Sequence, residues 1–252
     1  MKKLCILLAF FTFNAKAFII NGVPTKEYKA IVELRTVDFD STHCTASMIK
    51  KGYFLTAAHC LLGRYDQTII RDSIKINGIE FTDIKAVYNP LFYDAFWARD
   101  HRFDIAIIKV DPKIYREELQ SFETLILAQR APSTGDRVTM VGFGGNVCPV
   151  GGWATGLGTK RVGRNTIHRI DRGMCVTKGL TVPIQSADGS ASIACIGDSG
   201  GPLLSSEGEI LGVTSTGGYE VINGTLDNSL TYFANVMSPG NAVFISKMLE
   251  DQ

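Results

Sequence analysis

The chain has 252 residues, 45% of them hydrophobic, and 26 Lys and Arg stand against 25 Asp and Glu for a formal net charge of +1. That length bounds the molecule at one large domain or a tight pair of sub-domains, with ample apolar material for a buried core. The near-balanced charge excludes the strongly basic class that holds nucleic acid or an anionic membrane surface by bulk electrostatics.

In chain order, residues 1–17 read as a secretory signal. Lys2 and Lys3 open it, Leu4 to Phe13 is an apolar run, and Ala15-Lys16-Ala17 is a small-x-small cleavage site. The run is too short for a membrane span, which needs about 20 apolar residues. Export implies a secreted protein, extracellular or periplasmic, in a compartment where disulfides persist. Loss of Cys5 with the signal leaves Cys44, Cys60, Cys148, Cys175 and Cys195, an odd set that requires one free thiol or an intermolecular bond. No C-x-x-C or H-x-x-x-H spacing supports a zinc site.

Short apolar or alternating runs follow at Ile31–Arg35, Met48–Ile49, Phe54–Thr56, Ile74–Ile76, Glu80–Val87 and Ile105–Val110, with Asn77-Gly78 as a hairpin turn between two of them. A second set occupies Arg137–Val141, Arg161–Ile170, Leu180–Pro183, Leu203–Ser205, Ile210–Ser215 and Tyr232–Val236. Many short strands punctuated by turns argue for an all-β class built of barrels. Residues 111–134, with Pro112 and Pro132, read as a crossover between two of them. The stretch from Gly142 to Gly158 holds seven glycines and no G-K-[ST], so it reads as a surface loop and not as a phosphate loop. Lys160, Arg161, Arg164, Arg169 and Arg172, interleaved by Val162, Ile167 and Ile170, read as the solvated side of a strand. Asn223-Gly224-Thr225 is a glycosylation sequon. Asn241 to Asp251 reads as a closing helix with Phe244, Ile245, Met248 and Leu249 on one face.

Three strings carry chemistry: Thr56-Ala57-Ala58-His59-Cys60, Asp104-Ile105-Ala106-Ile107 and Gly197-Asp198-Ser199-Gly200-Gly201-Pro202-Leu203. A serine hydroxyl is a poor nucleophile without a base, and His59 is the candidate base. Gly197 lets its own amide and that of Ser199 point at one spot, the way an oxyanion hole is built. Asp104 is favoured over Asp94 and Asp100 as the acid because the apolar run that follows would bury it. His43, His101 and His168 lack comparable flanks and read as ordinary residues. Gly197 to Gly201 also fits the G-x-S-x-G of α/β-hydrolase esterases, but there the order is Ser, Asp, His, and here His59 and Asp104 come first.

Together these strings resemble the trypsin/chymotrypsin family of serine proteases. The resemblance runs from Ile19 to the C-terminus and implies two packed Greek-key β-barrels with a C-terminal helix over residues 19–252. It implies a serine endopeptidase acting through an acyl-enzyme, with His59, Asp104 and Ser199 as the triad and the Gly197 and Ser199 amides as the oxyanion hole. No cofactor and no metal are implied. The expected partners are protein or peptide substrates and protein inhibitors, with no nucleic acid, no membrane and a monomeric state. Ile19-Ile20-Asn21-Gly22 resembles the start of mature members, where the new amine pairs with the carboxylate before the nucleophile. Here that pair is Ile19 with Asp198, which makes Phe18 a one-residue propeptide. The resemblance also implies a Cys44–Cys60 disulfide, and a bridge from Cys195 to Cys148 or Cys175, with Cys148 favoured. Ser215 resembles the serine that bonds the triad aspartate and starts the substrate-binding strand. Ile193 and Ala194 take the base of the primary pocket, and Gly217 and Thr231 take its walls. An apolar base without a counter-charge implies cleavage after neutral, medium-sized residues and poor cleavage after Arg or Lys. A catalytically silent homologue acting as a binding protein is the alternative, although such a protein would usually lack a triad member or a glycine present here.

Overall fold

In a computed structural model, the residues described are 19–20, 22–36, 43–62, 73–93, 98–146, 154–180, 190–222 and 225–250. The expected signal, Phe18, Cys5, Asp94, Cys148, most of the sequon and the middle of the Gly-rich stretch lie outside them. The strands are β1 (Val23–Pro24), β2 (Ile31–Thr36), β3 (His43–Lys50), β4 (Tyr53–Thr56), β5 (Ser73–Ile76), β6 (Ile79–Thr82), β7 (Lys85–Tyr88), β8 (Ala106–Lys109), β9 (Arg137–Gly142), β10 (Arg161–Asp171), β11 (Met174–Leu180), β12 (Pro202–Leu204), β13 (Ile210–Ile222) and β14 (Thr225–Asn235). Two helices join them: α1 (Arg116–Gln120) in the crossover and α2 (Pro239–Glu250) at the end. No helix among the described residues is long and apolar enough to cross a membrane.

The strands form two seven-stranded antiparallel sheets. The first runs β6-β5-β2-β3-β4-β8-β7, and the second runs β1-β10-β11-β14-β13-β12-β9. The second closes on itself, because β10 also pairs with β9 from Arg161↔Gly142 to Thr166↔Arg137. The first shows no closing pair among the described residues, so one full barrel packs against a half-barrel. This is the expected all-β, two-barrel class, with one of the two left open.

Turn chemistry explains the hairpins. Asn77 and Gly78 have φ of 49° and 83° between β5 and β6, the double left-handed geometry of a tight hairpin. Arg172 and Gly173 repeat it, at 47° and 89°, between β10 and β11. Sequence reading passed over this second turn because arginine is not a turn residue, and it therefore missed β11 from Met174 to Gly179; of the expected run Leu180–Pro183, only Leu180 is among the described residues. The run Glu80–Val87 is likewise two strands, broken at Asp83, whose φ is 53°.

Two apolar clusters are buried, and the first runs from the first sheet into the second through Val141, Leu204, Ile210, Val213 and Ala234. The first gathers Ile31, Leu34, Met48, Phe54, Ile74, Phe81 and Ile107, and it extends to Phe244, Ile245 and Met248 of α2. Burying one such side chain contributes roughly 1.5–3 kcal/mol. The second gathers Ile19, Val138, Met140, Ile167, Cys175, Leu203, Leu211 and Phe233. The expected solvated basic face is corrected here. Arg164 and Arg172 are exposed, but the Arg161 side chain is 2% exposed. It lies buried because carbonyl oxygens surround it, as described below.

Candidate active site

β4 and β8 pair with Thr56 opposite Ala106. His59 follows Thr56 by three residues and Asp104 precedes Ala106 by two, so the two come off the same end of neighbouring strands. His59 sits in a one-turn 3-10 helix, Ala58–Cys60, and Asp104 closes another, His101–Phe103. The Cys44–Cys60 disulfide ties the first turn to β3. Cys44, Cys60 and His59 lie close enough to suggest metal ligands, but both sulfurs are spent in that bond.

Asp104 is fully buried and collects donors on both oxygens. The His59 amide donates to Oδ1 at 2.9 Å. His59 Nδ1 lies 2.6 Å from Oδ2, and Ser215 Oγ donates to the same oxygen at 2.6 Å. Nδ1 facing a carboxylate must carry the proton, which leaves Nε2 as the ring's acceptor. Burial alone would raise the Asp104 carboxyl. The charge of His59, the nearby His101 ring, and hydrogen bonds from His59 and Ser215 outweigh it and hold the group below the ordinary carboxylate range. Burial pulls His59 down, but the charge and hydrogen bond of Asp104 win and raise it above 6.5.

Ser199 lies in the turn before β12, and that turn is clamped to the first sheet through Thr45. The Thr45 amide donates to Ser199 O at 2.7 Å, and Thr45 Oγ1 donates to Gly197 O at 3.0 Å. A Cβ on Gly200 would stand 2.1 Å from Thr56 Oγ1 and 2.2 Å from Thr45 O, so only glycine fits under β3 and β4. Gly197 has φ +99°, and its amide and that of Ser199 donate to no group among the described residues. The Ser199 hydroxyl makes no hydrogen bond among the described residues, and none joins it to His59.

Asp198 is 3% exposed and accepts from the amides of Gly144 (2.8 Å) and Cys195 (2.9 Å). Burial pushes its carboxyl up to about 6, against the pull of those amides and of the Arg161 charge. Arg161 Nη1 donates to the carbonyls of Gly144, Gly156 and Thr159 at 2.8, 2.9 and 3.0 Å. Gly144 thus gives its N–H to Asp198 and its C=O to Arg161. Ile19 is 1% exposed inside the second core and Ile20 bridges Ile193, but in the uncleaved chain Ile19 carries no charged amine.

Of the expected pocket residues, Ala194, Thr231 and Gly217 meet. The Ala194 amide donates to Thr231 Oγ1 at 3.0 Å, and Thr231 pairs with Gly217 across β13 and β14. Ile193 is 2% exposed, its amide bonds Ile20 O, and its Cγ2 lies against Gly179. Cys195 is disulfide-bonded and Cys175 is free and buried; the partner of Cys195 is not among the described residues. Of the rival acids, Asp100 is taken up by Arg102, whose Nε lies 2.8 Å from its Oδ1.

Sequence reasoning missed His101. Its Nδ1 lies 3.1 Å from Ser215 Oγ and 3.8 Å from Asp104 Oδ2, so it is no ordinary surface histidine. The available signal was its spacing: residues i and i+3 of a 3-10 turn eclipse each other, and His101 and Asp104 stand at that interval.

A buried aspartate binding a partly exposed histidine, with a Gly-Asp-Ser-Gly turn clamped to the same sheet between two antiparallel β units, defines the double-barrel serine protease class. Residues 19–237 match the family model for Trypsin, and the chain belongs to that family. It is 24% identical over 216 residues to trypsin eta of Drosophila melanogaster, covering 79% of this chain and 78% of that one. It is 25% identical over 241 residues to snake venom serine protease 2 of Protobothrops flavoviridis, covering 87% and 84%. Among solved structures, neuropsin, a serine protease of mouse brain, superposes with a TM-score of 0.63 at 19% identity, covering 91% of this chain and 99% of that one.

Proposed function

We propose that this chain is a secreted serine endopeptidase that works through His59, Asp104 and Ser199. The observation that carries the reading is the buried Asp104 carboxylate bonded at once to His59 Nδ1 and Ser215 Oγ, which leaves Nε2 free as an acceptor. In the reaction, Ser199 Oγ attacks a peptide carbonyl while Nε2 takes its proton. The developing oxyanion receives the Gly197 and Ser199 amides. His59 then protonates the leaving amine, and water, activated by the same Nε2, hydrolyses the acyl-enzyme. The missing Ser199–His59 hydrogen bond is compatible with this, because such contacts commonly tighten only with substrate bound.

A primary pocket walled by Ala194, Gly217 and Thr231, with Ile193 as its expected base, carries no charge on these four residues, which supports neutral, medium-sized side chains before the cut. Cleavage before Ile19 would supply an ammonium for Asp198, a buried carboxylate with no cation within ion-pairing distance among the described residues. Export rests on residues 1–17, and the bridge proposed for Cys195 goes to Cys148. A fluorophosphonate probe tests the enzyme reading: protein beginning at Ile19 labels and Ser199→Ala does not. Wild-type protein that never labels after confirmed maturation would assign the fold to binding alone. Labelling without cleavage of any peptide in a panel would point to an esterase.

A further inference from the structure

Next to His101 a cavity of about 450 Å³ opens between the 3-10 turn and the β10–β11 hairpin. Its wall includes Arg99, His101, Arg102, Asp171, Arg172 and Tyr232. Two of the three arginines have acidic neighbours. Arg102 forks onto Asp100, with Nε 2.8 Å from Oδ1 and Nη2 2.5 Å from Oδ2. Arg172 Nε is 3.7 Å from Asp171 Oδ1, while the other oxygen of Asp171 is 3.8 Å from Arg169 Nη2. Arg99 is exposed and its guanidinium has no ion pair or hydrogen bond among the described residues. Its charge reaches His59, where it disfavours protonation.

The cavity adjoins β13, whose stretch from Ser215 is expected to carry the substrate in the protease reading. Thr214 is beside the nucleophile turn, with its carbonyl accepting from the Gly200 amide at 2.8 Å. Two residues on, Thr216 pairs with Tyr232, which lines the cavity. Ser215, between them, is 3.1 Å from His101 on the same wall. An extended peptide lying on this strand advances about 3.3 Å per residue. Its side chains two to four residues before the scissile bond therefore lie roughly 7–13 Å from Ser199, over the cavity.

We infer that this cavity selects substrates with Asp or Glu two to four residues before the cleaved bond, Arg99 holding the carboxylate and Arg172 supporting it. This rests on the protease reading and adds a substrate class to it. A guanidinium in an open cavity matches one carboxylate by a two-pronged hydrogen bond. A long polyanion fits less well, because it would also face the carboxylates of Asp100 and Asp171.

The test separates binding from chemistry. Two fluorescein-labelled peptides, with Glu or with Gln at those three positions before an Ile, are titrated into Ser199→Ala protein beginning at Ile19. The Glu peptide should bind about fivefold more tightly at about 50 mM salt, the margin of a partly screened ion pair, and the margin should shrink at about 300 mM. Arg99→Glu and Arg172→Glu should each erase or invert it. In active protein the ratio of kcat/KM for the two peptides should follow the same pattern, a ratio that cancels any effect of Arg99 on His59. Equal binding of the two peptides, no binding of either, or a margin untouched by both arginine variants overturns the inference. A sulfated oligosaccharide that binds through Arg99 while the peptides are not distinguished also overturns it. Selective binding to Ser199→Ala alongside wild type that neither labels nor cleaves would uphold the cavity and sink the protease reading.

Discussion

Replacing Asp198 with Asn isolates the cost of one buried charge. In the uncleaved chain the carboxyl is 3% exposed, and burial pushes it up to about 6 from 3.8. A carboxyl with a raised folded value binds protons more tightly folded than unfolded. Its contribution to stability is therefore fully present below 3.8 and is lost as pH rises through about 6. A rise of about two pH units corresponds to roughly 3 kcal/mol. Asn keeps one acceptor for the Gly144 or Cys195 amide and presents a donor to the other, a penalty that does not vary with pH. The difference in unfolding free energy between wild type and Asp198→Asn, from urea titrations across pH 3–8 on protein retaining Phe18, should therefore shift by about 3 kcal/mol against wild type as pH rises. Protein beginning at Ile19 should lose that slope or reverse it, because an ammonium would stabilise the ionised carboxylate. A flat difference curve in the uncleaved chain would refute the buried-charge argument. An unchanged slope after cleavage would refute the Ile19–Asp198 pair.

Asp104→Asn should lower kcat by about 10⁴, as in the Ser-His-Asp template, because an amide facing Nδ1 stabilises the wrong tautomer; a loss under tenfold in peptide hydrolysis would contradict the assignment. Activity should rise with pH along a limb whose midpoint lies above 6.5, since His59 acts neutral and Asp104 raises it against the pull of burial; a midpoint below 6.5 in the kcat/KM profile would oppose this. Gly144→Ala puts a Cβ 2.4–2.6 Å from the Asp198 carboxyl group, held there by two amides, and should cost about 1–3 kcal/mol and slow fluorophosphonate labelling. Gly78→Ala meets nothing within 4 Å, so it should cost only its backbone strain, about 1 kcal/mol, and leave labelling intact, as thermal melts and labelling rates will show.

Local patterns in the chain determined a good deal. Alternating apolar runs and turn residues marked an all-β fold, because strand period and hairpin chemistry are short-range properties. The Asn77-Gly78 turn was legible for that reason, and the Arg172-Gly173 turn, with the same backbone, was not. The strings around His59 and Ser199 announced a base and a nucleophile by residue type and flanking glycines. What they meet was decided by the tertiary structure. The Thr56↔Ala106 register brings His59 onto Asp104, although 45 residues separate them in sequence. Sheet closure through β9 and β10 encloses Arg161, which by composition belonged with its exposed neighbours. Of the carbonyls it binds, those of Gly156 and Thr159 come from its own stretch of chain, and that of Gly144 comes from beyond the end of β9, 17 residues away. His101 and Arg99 gain their meaning in the same way. A side chain's charge is local, but its partner and its dielectric surroundings are set by segments that meet only in the folded chain.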